Sequence, residues 1–300
     1  MAKLIVLVGL PGSGKSSYAN NVLLEADKNT VLHSSDNIRQ ELFGDASSQE
    51  NNALVFETMH KRVKEDLRNG KTVVYDATNV TRKSRRGAIN LASKEDELEC
   101  HVVWAPVNEC INRDRTRSRT VGKQVIDKFL RRWQSPFYDE GFDTIKIIPN
   151  VIDHDHVRYA RNLTISMNIP HDNPHHTLNV LEHCEQAYEN IKDKYIMPYS
   201  VYMATLWHDV GKPYTKGYKN KPDSDEIDYS VAHYYDHQNV GAYMSYGLYV
   251  SLMEDDWVAE FSWLINNHME PFFNSKYYKD LPQKLKEYID AIHDADRSAH

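Results

Sequence analysis

The sequence predicts two folds in one chain: an α/β domain with a parallel sheet and helices on both faces, followed by an all-α domain. Three observations carry this. Short apolar runs alternate with helical patterns through residues 1–150, and from Asn173 onward apolar residues recur mostly at helical spacing. The composition also inverts: residues 1–150 hold 12 of 15 arginines and 3 of 15 histidines, residues 151–300 the reverse. Formal charge follows, at +3 in the first half (23 basic, 20 acidic) and −10 in the second (13 basic, 23 acidic). A length of 300 residues suits two domains, and 26% charged with 41% hydrophobic residues describes a globular chain. No stretch approaches the ~20 apolar residues that span a bilayer, so no membrane partner is expected. Three cysteines, Cys100, Cys110 and Cys184, form no close pair and predict neither a disulfide framework nor a zinc knuckle; a reducing cytoplasm fits.

Leu4–Val8 is apolar and ends at Gly9. The longer run Leu4–Leu10 after Lys3 looks faintly like a signal-peptide core, but a phosphate-binding loop follows at once, so a buried strand is expected. Helical spacing runs from about Lys15 to Ala26, and again over Asn51–Arg68 with Leu54, Met59, Val63 and Leu67. Thr30–His33, Thr72–Tyr75, Cys100–Trp104 and Thr144–Ile148 are further strands, and this alternation implies the parallel sheet. In the second half Leu178, Val180, Leu181, Cys184 and Ala187 open a series of helical patterns that ends with Leu285, Ile289 and Ile292. The boundary falls between Val151 and Asp172, punctuated by Pro170 and Pro174. The division expected is 1–158 for the first domain, 159–172 for a linker and 173–300 for the second. Tyr214–Asp228, polar with Gly217 and Pro222, reads as an exposed loop.

Gly9-Leu-Pro-Gly12-Ser13-Gly14-Lys15-Ser16 fits GxxxxGK[ST] at every fixed position, after a strand and before a helix. Glycines let backbone N–H groups close around phosphates, and the helix N-terminus adds its positive dipole end. Lys15 suits the β- and γ-phosphates of ATP or another nucleoside triphosphate, and Ser16 suits Mg²⁺. Asp36 follows the second strand, where a carboxylate is placed to take a proton from an incoming hydroxyl. Asp76 ends another strand and suits Mg²⁺ through water. Arg113, Arg115, Arg117 and Arg119 alternate along a helix and loop; beside the phosphate loop they read as a lid over the triphosphate.

These pieces resemble a known family. GLPGSGKS, SSDNIRQELFG, VVYDATNVTRKSRR and Arg115-x3-Arg119-x6-Ile126-Asp127 look like the kinase domain of phage polynucleotide 5′-kinases over about 155 residues. The resemblance implies Asp36 as general base on a 5′-hydroxyl, Arg39 on the acceptor nucleotide, and Arg115 and Arg119 as lid arginines, with Arg113 and Arg117 at the same spacing. Those kinases usually continue into a phosphatase with an Asp-x-Asp-x-Thr motif. Asp153-His-Asp155-His-Val lacks the threonine and reads as a linker coincidence.

The second half carries His183, His208-Asp209, His237, His268, and Asp294 or Asp296, each on or near a separate helical pattern. Imidazole and carboxylate together suit Mn²⁺, Fe²⁺, Co²⁺, Ni²⁺ or Zn²⁺. An inward polar cluster in a helical bundle is costly unless satisfied, and metal satisfies it. NPHHTLNVLEHC, TLWHDVGKP, DHQNVGA, LINNHMEP and AIHDADRSA resemble the HD phosphohydrolase superfamily from about Asn173 to the end. The resemblance implies two metals: one on His183, His208, Asp209 and Asp296, with Asp209 bridging to a second on His237 and His268. A water between them would be the nucleophile, Lys212 would hold a substrate phosphate oxygen or neutralise the transition state, and Asp294 competes as last ligand. His171, His175, His176 and His233 either line the phosphate pocket or lie on the surface.

A 5′-kinase joined to an HD phosphoesterase resembles the bacterial HD-domain polynucleotide kinases, here with the domain order reversed. That implies a bifunctional enzyme acting on RNA or DNA ends: ATP-dependent phosphorylation of a 5′-OH, and metal-dependent removal of a 3′-phosphate or 2′,3′-cyclic phosphate, before a separate ligase. Overall acidity argues mildly against nucleic acid; Arg82, Arg85, Arg86, Arg131 and Arg132 are expected to supplement the lid. The rivals are a small-molecule kinase fused to an HD nucleotidase, and a nucleotide-regulated binding module without catalysis.

Overall fold

The computed structural model describes residues 1–48, 50–117, 119–151, 154–172, 177–221 and 224–299. They fall into two units, Met1–Phe129 with Pro136–Ile152, and Leu130–Ser135 with Asp153–His300.

The first unit is organised by β1 (Lys3–Val8), β2 (Thr30–Ser34), β3 (Thr72–Asp76), β4 (Glu97–Trp104) and β5 (Thr144–Pro149). They form one sheet in the order β2-β3-β1-β4-β5, every pair parallel. β1 is apolar at five of six positions because it lies mid-sheet with both faces covered. Register sets the functional edge: Leu7 lies opposite Asp76, and Asp76 opposite Ser34. The loop after β1, the helix Ser35–Phe43 after β2 and the end of β3 therefore emerge at one level. Such carboxyl-end crevices are where open parallel sheets bind ligands. The helix Asn52–Arg68 buries Val55, Met59, Val63 and Leu67, one row at four-residue spacing; Leu54, expected in that row, is exposed. The helical stretch from Lys15 to Ala26 is interrupted by a π-turn at Ala19–Leu23, one turn after the phosphate loop.

β4 departs from the apolar pattern. Glu99 and His101 share one face and are buried. Glu99 accepts from Lys3 Nζ (2.6 Å), Lys146 Nζ (2.9 Å) and His101 Nε2 (2.7 Å), and Tyr18 OH meets His101 Nδ1 at 3.0 Å. This chain ties β1, β4, β5 and the helix after the phosphate loop.

The second unit is mainly helical: His156–Met167, Val180–Lys194, Tyr199–Trp207, His237–Tyr249, Asp255–Asn267 and Gln283–Arg297 are its longer helices. Asn179 and Glu182 cap the Val180 helix reciprocally (2.9 and 3.0 Å). Two expectations change here. The stretch 159–172 is no linker, since most of it lies in the helix His156–Met167, whose Leu163 and Met167 are buried and whose Tyr159 OH donates to Met244 O at 3.0 Å. Asp155 caps that helix through Arg158 N; Asp153 lies outside the described residues. Part of the expected exposed loop at 214–228 is strand: β6 (Gly217–Asn220) pairs antiparallel with β7 (Ile227–His233), one small pair beside the helices of this domain.

The segment Leu130–Ser135 belongs to this unit although it lies early in the chain. Trp133 is fully buried against Tyr243 (4.9 Å, 77°) and Tyr246 (6.0 Å, 86°). Ser135 Oγ meets Ser262 Oγ at 2.7 Å, and Asn266 bonds Ser135 N and Trp133 O.

Candidate active sites

The phosphate loop turns sharply on glycines that have no room for a side chain. A Cβ on Gly12 (φ 82°) would sit 2.3 Å from Cys110 O, and one on Gly14 (φ 95°) 1.7 Å from Asn150 Nδ2. Lys15 Nζ folds back onto the carbonyls of Gly9 (2.8 Å) and Leu10 (2.9 Å). Ser13 Oγ is buried without a hydrogen-bond partner, and Ser16 Oγ donates to Asp76 Oδ2 at 3.0 Å. Burial lowers the Lys15 pKa against the pull of Asp76, and burial raises that of Asp76 against the pull of Lys15. An unsatisfied hydroxyl, a glycine cradle and a lysine resting on carbonyls fit a polyphosphate. The Ser16–Asp76 pair fits its Mg²⁺.

Asp36 sits on the first turn after β2 with its side chain half exposed. Its Oδ1 accepts from Arg39 Nη1 at 2.9 Å and its Oδ2 pairs with Arg119 Nη1 at 3.2 Å. Arg39 is buried, reaches Asn52 Oδ1 at 2.9 Å, and keeps an unpartnered Nε. The four alternating arginines part company. Arg113 donates to Asn150 O (2.7 Å) and Ser13 O (3.4 Å), which buttresses the loop. Arg117 is exposed, and its charge is a lesser influence on Lys15 and Asp76. Arg119 stands at Asp36, and Arg115 is exposed on the helix Val107–Thr116. Buried Asp114 holds the following turn by accepting from Val121 N and Gly122 N. Arg85, expected to supplement the lid, is fully buried, with a bidentate pair to Glu140 (2.6 and 2.8 Å) and a bond to Asn79 O. It holds the loop after β3 instead. Arg131 likewise belongs to the second unit, donating to Tyr235 O. The role of Asn150 at the loop carries no sequence signal, because a lone asparagine after a strand matches no motif.

In the second unit four histidines converge through one device. Nδ1 of His183, His208, His237 and His268 lies at a backbone carbonyl: Ala299 O (3.1 Å), Thr205 O (2.7 Å), Tyr234 O (2.8 Å) and Ile265 O (2.7 Å). That contact orients each ring and presents Nε2 to the centre, the arrangement of metal-ligating imidazoles. His183 Nε2 lies 2.8 Å from Asp296 Oδ1 and 3.7 Å from Asp209 Oδ2. His208 Nε2 lies 3.3 Å from Asp209 and 3.4 Å from Asp296, yet forms no well-made hydrogen bond. His237 Nε2 is 3.2 Å from Asp209 Oδ1 and 3.2 Å from His268 Nε2. The ligand atoms form two groups, His183-His208-Asp209 and Asp209-His237-His268, sharing Asp209. This donor set fits two transition-metal ions. Asp294 turns away, paired with Lys194 Nζ and Tyr195 OH.

Burial disfavours the charges of Asp209 and Asp296, yet the groups packed against them hold both well below the usual carboxylate range, His208 for each and Lys212 for Asp209. Burial is the largest cause that lowers His268 to about 3, leaving it neutral and able to ligate. Lys212 Nζ lies 2.5 Å from Asp209 Oδ2 and 3.2 Å from His171 Nε2, and 5.5 Å over the Tyr234 ring. His171 is thus at the site, whereas His233 sits on β7 stacked on Tyr235; His175 and His176 lie outside the described residues.

Comparison with known proteins accords with this division. The AAA domain model matches residues 4–136 and the HD domain model residues 175–298. The chain is 28% identical over 149 residues to the transcription factor bHLH140 of Arabidopsis thaliana, covering 47% of this chain and 15% of that protein. It is 27% identical over 157 residues to the bifunctional polynucleotide phosphatase/kinase of Schizosaccharomyces pombe, covering 49% of this chain and 33% of that protein. It therefore spans a third or less of the length of these relatives. A solved structure of the Pnkp1/Rnl/Hen1 RNA repair complex aligns at 27% identity over 43% of this chain and 42% of that one, with a TM-score of 0.40. Among the described residues no helix is long and apolar enough to cross a membrane. The phosphate loop with its carboxylates and the convergent histidines thus lie in two matched domains: the chain carries an N-terminal P-loop kinase domain of the AAA type and a C-terminal HD domain.

Proposed function

We propose that the chain is a bifunctional, cytoplasmic end-healing enzyme. It transfers a phosphoryl group from ATP to a 5′-OH polynucleotide end and removes a 3′-phosphate or 2′,3′-cyclic phosphate. The observation that carries the polynucleotide reading is Asp36 between the guanidinium forks of Arg39 and Arg119. A base flanked by two arginines suits an acceptor hydroxyl whose own molecule bears phosphodiesters. The similarity to a polynucleotide phosphatase/kinase supports the same reading.

In the kinase domain Lys15 leaves the Gly9 and Leu10 carbonyls for the β- and γ-phosphates, and Ser16 and Asp76 would hold Mg²⁺. Asp36 takes the hydroxyl proton as the acceptor oxygen bonds to the γ-phosphorus and ADP departs. Arg117, with Arg115 and Arg119 as lid arginines, faces the charge that spreads over the transferring oxygens. In the HD domain His183, His208, Asp209 and Asp296 would hold one ion, and Asp209, His237 and His268 the second. When bound, the pair supplies Lewis acidity and activates a water at neutral pH. Lys212, held by Asp209 and His171, stabilises negative charge on the phosphate as a P–O bond to water forms and the bond to the sugar oxygen breaks.

The test uses wild-type protein, ATP and Mg²⁺ with a 5′-OH oligonucleotide and, separately, free nucleosides. Phosphorylation of the oligonucleotide, competed by other oligonucleotides, is expected. An untouched oligonucleotide beside a phosphorylated nucleoside would replace this reading with that of a small-molecule kinase.

A further inference from the structure

The hairpin in the HD domain has no part in metal binding, yet it is wired to the metal centre. Lys216 Nζ pairs with Asp172 Oδ2 (2.6 Å), Tyr218 OH donates to the same carboxylate (2.5 Å), and Ala232 N donates to Asp172 O (2.7 Å). The Ala232 bond fixes β7 beside the segment bearing His171. Tyr234, next after β7, turns inward: its hydroxyl donates to His171 O, its ring lies beside Lys212, and its carbonyl accepts from the metal-facing His237. Its neighbours stack on each other instead. The His233 and Tyr235 rings are nearly parallel (9°) with centroids 5.5 Å apart. Tyr235 is 58% exposed and Tyr229, further up β7, 67% exposed.

Two cations stand at Tyr235, with the exposed Asp236 next to it in the chain. Lys219 Nζ lies 5.1 Å over the Tyr235 ring, and Arg131 Nη1 donates to Tyr235 O at 3.0 Å. The acidic residues Asp225, Glu226 and Asp228 lie toward the opposite end, where Lys221 pairs with Glu226. Exposed aromatic faces interleaved with cations are what single-stranded nucleic acids stack on, since every base has a π-face and every linkage a phosphate.

We infer that the His233–Tyr235 stack, with Tyr229 and Lys219, is a docking platform for the bases of a single-stranded polynucleotide whose 3′ end lies in the HD site. The inference rests on the end-healing reading of that site and deepens it. Tyr234 faces the metal centre while Tyr235, the next residue, is exposed, so that end of the platform adjoins the residue that lines the HD site. The terminal nucleotide occupies the metal centre, and bases further along the strand reach the platform. The platform therefore favours oligonucleotides and leaves mononucleotides unaffected.

The experiment measures hydrolysis of a nucleoside 2′,3′-cyclic phosphate and of oligonucleotides of two to six residues with the same terminus, by full-length wild type, Tyr235→Ala, Tyr229→Ala and Tyr235→Trp. A 5′-phosphorylated oligonucleotide carrying 2-aminopurine near its 3′ end reports stacking directly by quenching. For wild type, KM falls with length and the probe is quenched. Each alanine variant raises the oligonucleotide KM about 5- to 100-fold, the usual effect of losing one base stack. It leaves mononucleotide turnover unchanged and relieves the quenching; Tyr235→Trp retains wild-type behaviour. If wild type hydrolyses oligonucleotides and the alanine variants match it in KM and quenching, the platform is wrong while the end-healing reading stands. If wild type hydrolyses the mononucleotide and no oligonucleotide, both fall.

Discussion

Lys212 and Gly14 each do a job that a single substitution isolates. Lys212 is buried against Asp209, whose charge raises its pKa against the opposing effect of burial. It touches the metal cradle without being part of it. Lys212→Met is expected to lower HD hydrolysis by roughly 10²–10³-fold, the usual cost of losing one stabilising donor, while the protein still binds two metals per chain by elemental analysis. Loss of metal in parallel with activity would instead make Lys212 a support of the cradle. Gly14→Ala places a Cβ against Asn150 at a backbone angle of 95°. It is expected to abolish 5′-phosphorylation and leave HD metal content intact; unchanged ATP binding by calorimetry would contradict this account of the loop. Residues such as Lys15, Ser16, His208 and Asp209 are legible in the sequence because their chemistry demands fixed neighbours. Asn150 is not, because contact across the fold, rather than spacing along the chain, brings it to the loop.

At the scale of elements, β4 and the segment Leu130–Ser135 carry the sharpest expectations. Hydrogen bonding to His101, then to Lys3 and Lys146, holds Glu99 well below the usual carboxylate range against the cost of burial. Burial lowers His101 from its ordinary 6.5, overriding the opposing pull of Glu99. The signs agree. An unfolded chain takes up a proton on His101 as pH falls below about 6.5 and on Glu99 below about 4.3, where the folded domain resists both. The kinase domain is therefore expected to lose thermal stability from pH 7 to 4, and His101→Gln to flatten the upper part of that fall. A wild-type midpoint independent of pH would contradict it. Trp133→Ala empties a fully buried site against Tyr243 and Tyr246 and is expected to cost the second unit about 3–5 kcal/mol. Calorimetry should show its unfolding transition displaced and that of the first unit unmoved; the reverse would contradict the assignment of this segment. The buried strands are readable as apolar runs, and the Asn52 helix by its four-residue row. The hairpin is not, because Gly217–Asn220 and the start of β7 are mostly polar and read as loop. Nor is the helix His156–Met167, whose cap, Asp155, sits inside a charged run that resembles a linker.

For the whole molecule, the inverted composition has a physical cause. Permanently charged guanidinium forks suit triphosphates, acceptor phosphates and carboxylates, and Arg39, Arg119 and Arg85 pair with Asp36 and Glu140 in the first unit. Neutral imidazoles suit transition metals, and four histidines aim Nε2 at one centre in the second. Under the proposed function these are two independent chemistries serving one substrate. The most direct measurement incubates an RNA bearing 5′-OH and 2′,3′-cyclic phosphate ends with ATP, Mg²⁺ and Mn²⁺, then maps both termini for wild type, Lys15→Ala and Asp209→Ala. The account predicts that wild type changes both ends. Lys15→Ala should change only the 3′ end and Asp209→Ala only the 5′ end, each losing at least about 10³-fold at its own end. Both ends unchanged by wild type, or both activities lost together in either variant while the protein stays folded, would contradict it.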